Sequence, residues 1–276
     1  MNFRSITTRT AVAGAVTALA AGALVGMSTT AANAASASGD YQCTSPLGDL
    51  GTFNVSIEVP LLPPSAPAGY NIGAGLLSYE GVVVVPAATA AALAGYGVDG
   101  GTADDFAFAI GSALDATAPG TYTKGEANPD GSVNFNGTGA NEAFVLPAAG
   151  TYAVMLPESF TFTPTSGGNP LPVTATCTSA APGKLGDVAL SKQSSTLTAK
   201  AAKTAKGYKL TAIATNEYGT PTGKVVAKLG TKKYTGTLKN GKTVINLPKS
   251  AKGKKVTVSY NGDGYTKAAK TSVTVK

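Results

Sequence analysis

Acidic side chains are the only groups in this sequence whose type and number could run acid–base chemistry. There is no His and no Trp among the 276 residues, and only two Cys. The missing His removes Ser-His-Asp and Cys-His nucleophile systems, together with His-ligated zinc and haem sites. Two Cys cannot build a thiolate metal site of three or four sulfurs. The carboxylates that crowd together are Asp104 and Asp105, with Asp99 and Asp115 near them in sequence. A glycosidase needs two carboxylates roughly 5–10 Å apart across a sugar site. No spacing signature marks such a pair here, so surface solvation accounts for these acids and no catalytic residue is assigned. Ser/Lys catalysis needs a buried Lys, and Lys124, beside Gly125 in a turn-like stretch, does not meet that need.

Calcium is the ion that suits an acidic domain, because it takes oxygen ligands from loops. Asn128–Gly137 superficially resembles an EF-hand loop. Counted from Asp130, however, the sixth position is Phe135 rather than Gly. Counted from Ser132, Gly137 falls correctly but Ala143 stands at the twelfth position in place of Glu. The turn chemistry of Asn, Asp and Gly explains the same residues. Neither a metal ligand nor a cofactor-binding residue is assigned.

Where this chemistry sits depends first on what the chain keeps. Met1–Ala34 reads as an export leader. Arg4 and Arg9 give a positive start, and Ala11–Val25 is an uncharged Ala/Val/Leu/Gly run. Ala32-Asn33-Ala34 fits the small-x-small cleavage rule, with Ala35-Ser36-Ala37 a second candidate. The apolar run is about 15 residues, short of the ~20 a spanning helix needs. Arg4 and Arg9 are not adjacent and no Cys stands at the cleavage point, which argues against the twin-arginine and lipoprotein routes. The chain closes on Val273-Thr274-Val275-Lys276 without a sorting signal. The expected product is secreted or extracellular, with no membrane span in the mature chain. In an oxidising compartment Cys43 and Cys177 are expected to form one disulfide, free thiols or an intermolecular bridge being the alternative.

The elements that carry these residues divide by charge. Ala35–Gly183 holds twelve acids and one base, Lys124, a balance of −11. Lys184–Lys276 holds 19 Lys, no Arg and three acids (Asp187, Glu217 and Asp263), a balance of +16. The formal +7 of the whole chain describes neither half. The asymmetry predicts a domain boundary. It is placed in a Pro/Gly linker over 179–192 that starts at Ser179-Ala180-Ala181-Pro182-Gly183-Lys184, with an acidic domain over 35–178 and a basic one over 193–276.

Both domains read as β-sandwiches, so the predicted fold class is all-β. In Thr52–Val59, Phe53, Val55, Ile57 and Val59 alternate with polar residues. Val82–Val85 reads as a short buried strand stopped by Pro86, and Ala87–Leu93 as one short Ala-rich helix ended by Gly95. Leu61–Pro67 reads as an extended loop, because its prolines cannot donate to a ladder. Further strands are expected around Asn134-Phe135, Phe144–Leu146, Tyr152–Leu156, Ser159–Phe162 and Val173–Cys177, punctuated by Gly, Pro, Asn and Asp. In the basic domain seven short strands are expected: Ser195–Ala199, Tyr208–Thr215, Lys224–Leu229, Lys233–Leu238, Thr243–Leu247, Lys255–Tyr260 and Thr271–Val275. Asn240-Gly241 supplies a type I′ hairpin signal, and the spacing argues for an immunoglobulin-like sandwich.

The stretches Gly223-Lys224-Val225-Val226-Ala227, Asn240-Gly241-Lys242-Thr243 and Tyr260-Asn261-Gly262-Asp263, followed by Tyr265 and Val273-Thr274-Val275, resemble bacterial Ig-like repeat domains of surface and secreted proteins. The resemblance covers roughly Ser191–Lys276 and implies a structural, non-catalytic module. More loosely, Tyr41-Gln42-Cys43-Thr44-Ser45-Pro46-Leu47-Gly48, Thr161-Phe162-Thr163-Pro164 and Cys177 resemble an uncharacterised β-rich domain of actinobacterial exported proteins, which implies fold and location only.

Three uses suit the lysines. They can associate with anionic wall polymers or surface glycans through salt-sensitive attraction. They can keep sheet edges from pairing and the domain soluble. They can also draw the acidic half back onto the linker. Nucleic acid is not an expected partner, since Arg, its usual bidentate reader, is absent from this half. The expectation is a non-enzymatic surface or matrix protein with a structural or adhesive role. The competing class is a carbohydrate- or calcium-binding module working through loops of the acidic domain.

Overall fold

The computed structural model describes residues 33–276. The expected leader lies outside the described residues, apart from Asn33 and Ala34, which open the first strand. Ala31–Lys276 form one compact unit.

The chain is all-β, as its alternation predicts. It begins with β1 (Asn33–Ser45), β2 (Gly48–Leu62), β3 (Ser65–Pro67), β4 (Asn71–Ile72) and β5 (Ser78–Val85), then the helix α1 (Ala87–Gly95). After α1 come β6 (Gly100–Ala103), β7 (Ala107–Ile110), β8 (Leu114–Thr117), β9 (Gly120–Ala127) and β10 (Val133–Ala140). The acidic region ends with β11 (Phe144–Val145), β12 (Gly150–Met155), β13 (Ser159–Ser166), β14 (Asn169–Pro170), β15 (Ala175–Thr178) and β16 (Lys184–Ser191).

Eight of these strands run in the order β13-β15-β1-β2-β5-β10-β9-β6, and β6 pairs back onto β13 through Thr163↔Thr102 and Thr165↔Gly100. The larger sheet is therefore closed on itself, with β14 as a short hairpin partner of β13. A second sheet, β3-β16-β12-β7-β8, lies against it, with Phe108 of β7 packed edge-on to Tyr79 of β5. An eight-stranded closed sheet has an interior wide enough for side chains or for one small ligand.

Period-two alternation decides which side chains enter that interior. Phe53, Val55, Ile57 and Val59 are all buried. The Val82–Val85 run differs from its reading as a fully buried strand. Val83 and Val85 are buried, but Val82 and Val84 are half-buried on the outer face, as a closed sheet requires. Leu61–Pro67 differs too. Leu61 and Leu62 finish β2, and Ser65–Pro67 adds to β16 as a parallel edge strand, where a missing donor is tolerated. Strand glycines accept the larger rings. A Cβ at Gly101 would fall inside the ring of Phe162, and one at Gly139 inside the ring of Tyr79.

Cys43 and Cys177 face each other on β1 and β15, fully buried and joined by a disulfide. The bridge does not reach the last strand of the region. Lys184–Ser191, expected to lie in a linker, is β16 and pairs along β12 from Gly150↔Leu190 to Met155↔Lys184. Leu185, Val188 and Leu190 supply the reason: three apolar side chains that only a packed strand can bury.

All seven strands expected in the basic region form: β17 (Thr196–Thr204), β18 (Gly207–Thr215), β19 (Lys224–Leu229), β20 (Lys232–Thr237), β21 (Lys242–Leu247), β22 (Lys255–Tyr260) and β23 (Ala269–Thr274). They make the sheets β17-β18-β21 and β20-β19-β22-β23, an immunoglobulin-like pairing of two sheets over a shared core. Asn240 and Gly241 both have positive φ, 49° and 71°, as a type I′ turn requires.

Candidate functional site

The carboxylates singled out from sequence do not converge on one another. Asp105 accepts the Thr161 N–H at 2.8 Å across the β6–β7 turn. Asp99 accepts the Thr165 hydroxyl at 3.0 Å and the Gly168 N–H at 3.3 Å. Desolvation works against its charge, but those hydrogen bonds outweigh it and hold its carboxyl below the usual value. Asp104 is exposed in the same turn as Asp105, and Asp115 is exposed on β8. In the Asn128–Gly137 loop, Asp130 accepts the Ser132 hydroxyl at 2.7 Å and its N–H at 2.9 Å, and these two bonds lower its pKa. The Asn128 amide donates to Ser132 at 2.9 Å and Asn134 at 3.0 Å, so the loop's polar groups satisfy one another. Among the described residues no three of Cys, Asp and Glu gather as a metal-holding group.

A concave site does exist, at one end of the closed sheet. Phe53 (β2), Val83 and Val85 (β5), Phe135 (β10), Phe162 (β13) and Ala175 (β15) point inward beneath α1 and leave a hollow of about 380 Å³. The opposite end of the interior is filled by Tyr79, Phe106 and Phe160 in edge-on and tilted contacts. Helix α1 forms because six of its nine residues are Ala, and it starts directly after Pro86. It lays Ala88, Thr89, Ala92 and Leu93 toward the hollow. The Thr89 hydroxyl donates to the Leu50 carbonyl and fastens the helix to the β2 end. Asp49 is the one charged group in the lining; its Oδ1 accepts the Gln42 amide at 2.6 Å and the Gly51 N–H at 2.8 Å.

The lysines are arranged by strand direction. All nineteen from Lys184 to Lys276 are exposed. The β17–β18 turn, the β19–β20 turn, the β21–β22 connection and the C-terminus share one end of the sandwich. Gly207 lies against Lys249, Gly253 and Lys254 hydrogen-bond to Val275, and the pairings Leu229↔Lys232 and Lys228↔Thr257 bring the remaining turn alongside. This pole carries Lys203 and Lys206, Lys232 and Lys233, Lys249, Lys252, Lys254 and Lys255, and Lys276, nine of the nineteen. The three acids lie elsewhere: Asp187 on β16, Glu217 and Asp263 in the connections at the other end.

That other end meets the acidic region through neutral groups. Gln193 is buried, and its side-chain amide donates to the carbonyls of Ala68 and Tyr218 while its oxygen accepts the Tyr218 N–H at 2.8 Å. Its backbone bonds to Tyr265 and Lys267, both at 2.8 Å. Ala149 donates to Gly264 at 2.9 Å, and Tyr70 packs edge-on against Tyr218 with ring centroids 4.9 Å apart. Among the described residues the one ion pair is Lys184–Asp187 at 2.9 Å, so no salt bridge joins the two regions. Sequence reading missed Gln193, a lone amide with no motif around it. It also missed the hollow, whose lining comes from six strands, a helix and the turns between them.

No curated protein and no solved structure matches this chain. A family model described as a family of unknown function, DUF6801, matches residues 40–191, more than half of the chain and up to the last residue of β16; the chain belongs to that family.

Proposed function

We propose that this is an exported, non-enzymatic cell-surface or matrix protein, held to anionic wall polymers or surface glycans by its lysine-rich sandwich. One observation carries the reading: nine unpaired lysines, with no acid among them, occupy the pole of the sandwich that faces away from the acidic region. A field of one sign over a convex end attracts a polyanion without needing a shaped pocket. The same geometry turns the acidic region away from the polyanion, where like charge would repel it. The strand order β17-β18-β21 and β20-β19-β22-β23 supports reading the sandwich as a bacterial Ig-like repeat module, and the disulfide suits an extracellular setting.

The test is co-sedimentation of the purified protein with purified cell walls. Pelleting is expected at about 10 mM salt and is expected to vanish near 1 M, as the screening length falls from about 30 Å to about 3 Å. Substituting Lys249, Lys252, Lys254 and Lys255 by Ser should abolish pelleting, whereas the same change at Lys192, Lys267 and Lys270 should leave most of it. Salt-independent pelleting, or equal losses in both variants, would refute the electrostatic anchor.

A further inference from the structure

We infer that the hollow beneath α1 is a binding site for a neutral apolar ligand, a single hydrocarbon chain carrying an uncharged head. This goes beyond the anchoring role and rests on different residues. Its volume of about 380 Å³ lies within the range of small-molecule pockets, about 300–1,000 Å³. It is also far larger than the roughly 30 Å³ share of one water in the liquid. A close-packed interior does not leave such a space by default, and the opposite end of the same closed sheet is filled with aromatic rings. Helix α1 crosses the opening without plugging it, because Ala88 and Ala92 are too short to reach across.

The rim shows the same preference. Leu47 and Tyr96, 68% and 64% exposed, stand at the opening as large apolar groups in water. With the lining they form a continuous apolar path from solvent to Phe53 and Phe162. Charge selects the head. The lining holds no Lys or Arg, and Asp49 places a carboxylate at the mouth, so a fatty carboxylate meets like charge while a glyceryl or amide head does not. The neighbouring hydroxyls of Ser45, Thr89 and Thr174 are neutral groups suited to such a head.

The test titrates the purified protein with N-phenyl-1-naphthylamine, an uncharged fluorescent hydrocarbon probe. Saturable one-to-one binding is expected, displaced by a monoacylglycerol at least about tenfold better than by the fatty carboxylate of equal chain length. Ala92→Trp fills the hollow from the helix and Ala175→Phe from the sheet. Each should weaken the probe at least about tenfold, with the melting temperature of Ala92→Trp kept. Asp49→Asn should let the carboxylate compete as well as the monoacylglycerol. Three outcomes would overturn the site: no probe binding, unchanged binding in Ala92→Trp, or self-association through Leu47 and Tyr96 that blocks the probe, which makes a second copy the occupant.

Discussion

The closed sheet and the sandwich solve the same packing problem with different side chains. The sandwich core is mostly aliphatic, with Leu210, Val225, Val256 and Val258 fully buried between two sheets that face each other directly. The closed sheet instead places Tyr79, Tyr122 and Phe162 over Gly139, Gly137 and Gly101; Tyr79 joins Phe106 and Phe160 in filling one end, while Phe162 lines the hollow at the other. Inner side chains of two facing sheets interdigitate into a core about 10 Å thick. A closed sheet needs large side chains to span its interior, and under α1 the rings of Phe53, Phe135 and Phe162 with the smaller Val83, Val85 and Ala175 leave space between them. Charge divides along the sequence in the same way: twelve acids against one base over 35–183, nineteen lysines against three acids over 184–276, with Lys184 alone of those lysines standing on β16 of the acidic region. Under the two proposals above, ligand recognition belongs to one region and attachment to the other.

The largest expected effect comes from the disulfide, which belongs to one region alone. Cys43→Ala with Cys177→Ala opens a cross-link spanning 134 residues, a loss of up to about 4–5 kcal/mol in the chain-entropy account. Urea unfolding followed by tyrosine fluorescence should show the closed sheet melting earlier and the sandwich unchanged. A joint shift would mean that the two regions unfold as one. Gly101→Val comes next, because its side chain must displace the Phe162 ring; a loss of about 1–3 kcal/mol is expected, again confined to the closed sheet.

Gln193→Leu probes the junction. It strands the Tyr218 N–H and the Ala68 carbonyl, while the Tyr218 carbonyl keeps the Asn216 amide, and a loss of about 1–3 kcal/mol is expected by calorimetry. Asp263 gives the same junction a pH dependence. Burial pushes its carboxyl up, but hydrogen bonds from Thr222 and Tyr265 outweigh this and hold it below its ordinary 3.8. Its folded value lies below its unfolded one, so it contributes stability that is present above about pH 4 and lost as pH falls through the folded value. Asp263→Asn should flatten the dependence of melting temperature on pH below about 4. The smallest effect tests the lysine field. Lys228 and Lys233 stand directly opposite on β19 and β20, so Lys233→Glu should stabilise the sandwich by about 0.2–1 kcal/mol at low salt, and less as salt rises.

Much of the fold was legible in the residues. Phe53-x-Val55-x-Ile57-x-Val59 names its buried face by period two, Asn240-Gly241 names its turn by the positive φ both residues tolerate, and the run from Ala87 to Gly95 names the helix. Lys184–Ser191 reads as linker because Pro and Gly just upstream outweigh three apolar residues, Leu185, Val188 and Leu190, that a strand buries. Its partner β12 lies some thirty residues earlier, and no local signal announces such a pairing. The candidate carboxylates failed as a site for a related reason. Proximity in sequence brought Asp104 and Asp105 into one turn, where Asp105 was taken up by the backbone of Thr161.

The sequence by itself determined the all-β class, the seven strands of the sandwich and the opposed charges of the halves. These follow from periodicity, turn chemistry and counting, which act over a few residues or over whole segments. Only the tertiary structure decided that β6 returns to β13, that a hollow remains beneath α1, that nine lysines share one pole and that Gln193 joins the two regions. Each of those depends on which distant strands become neighbours, and that choice is made by the burial of whole faces rather than by any residue's local preference.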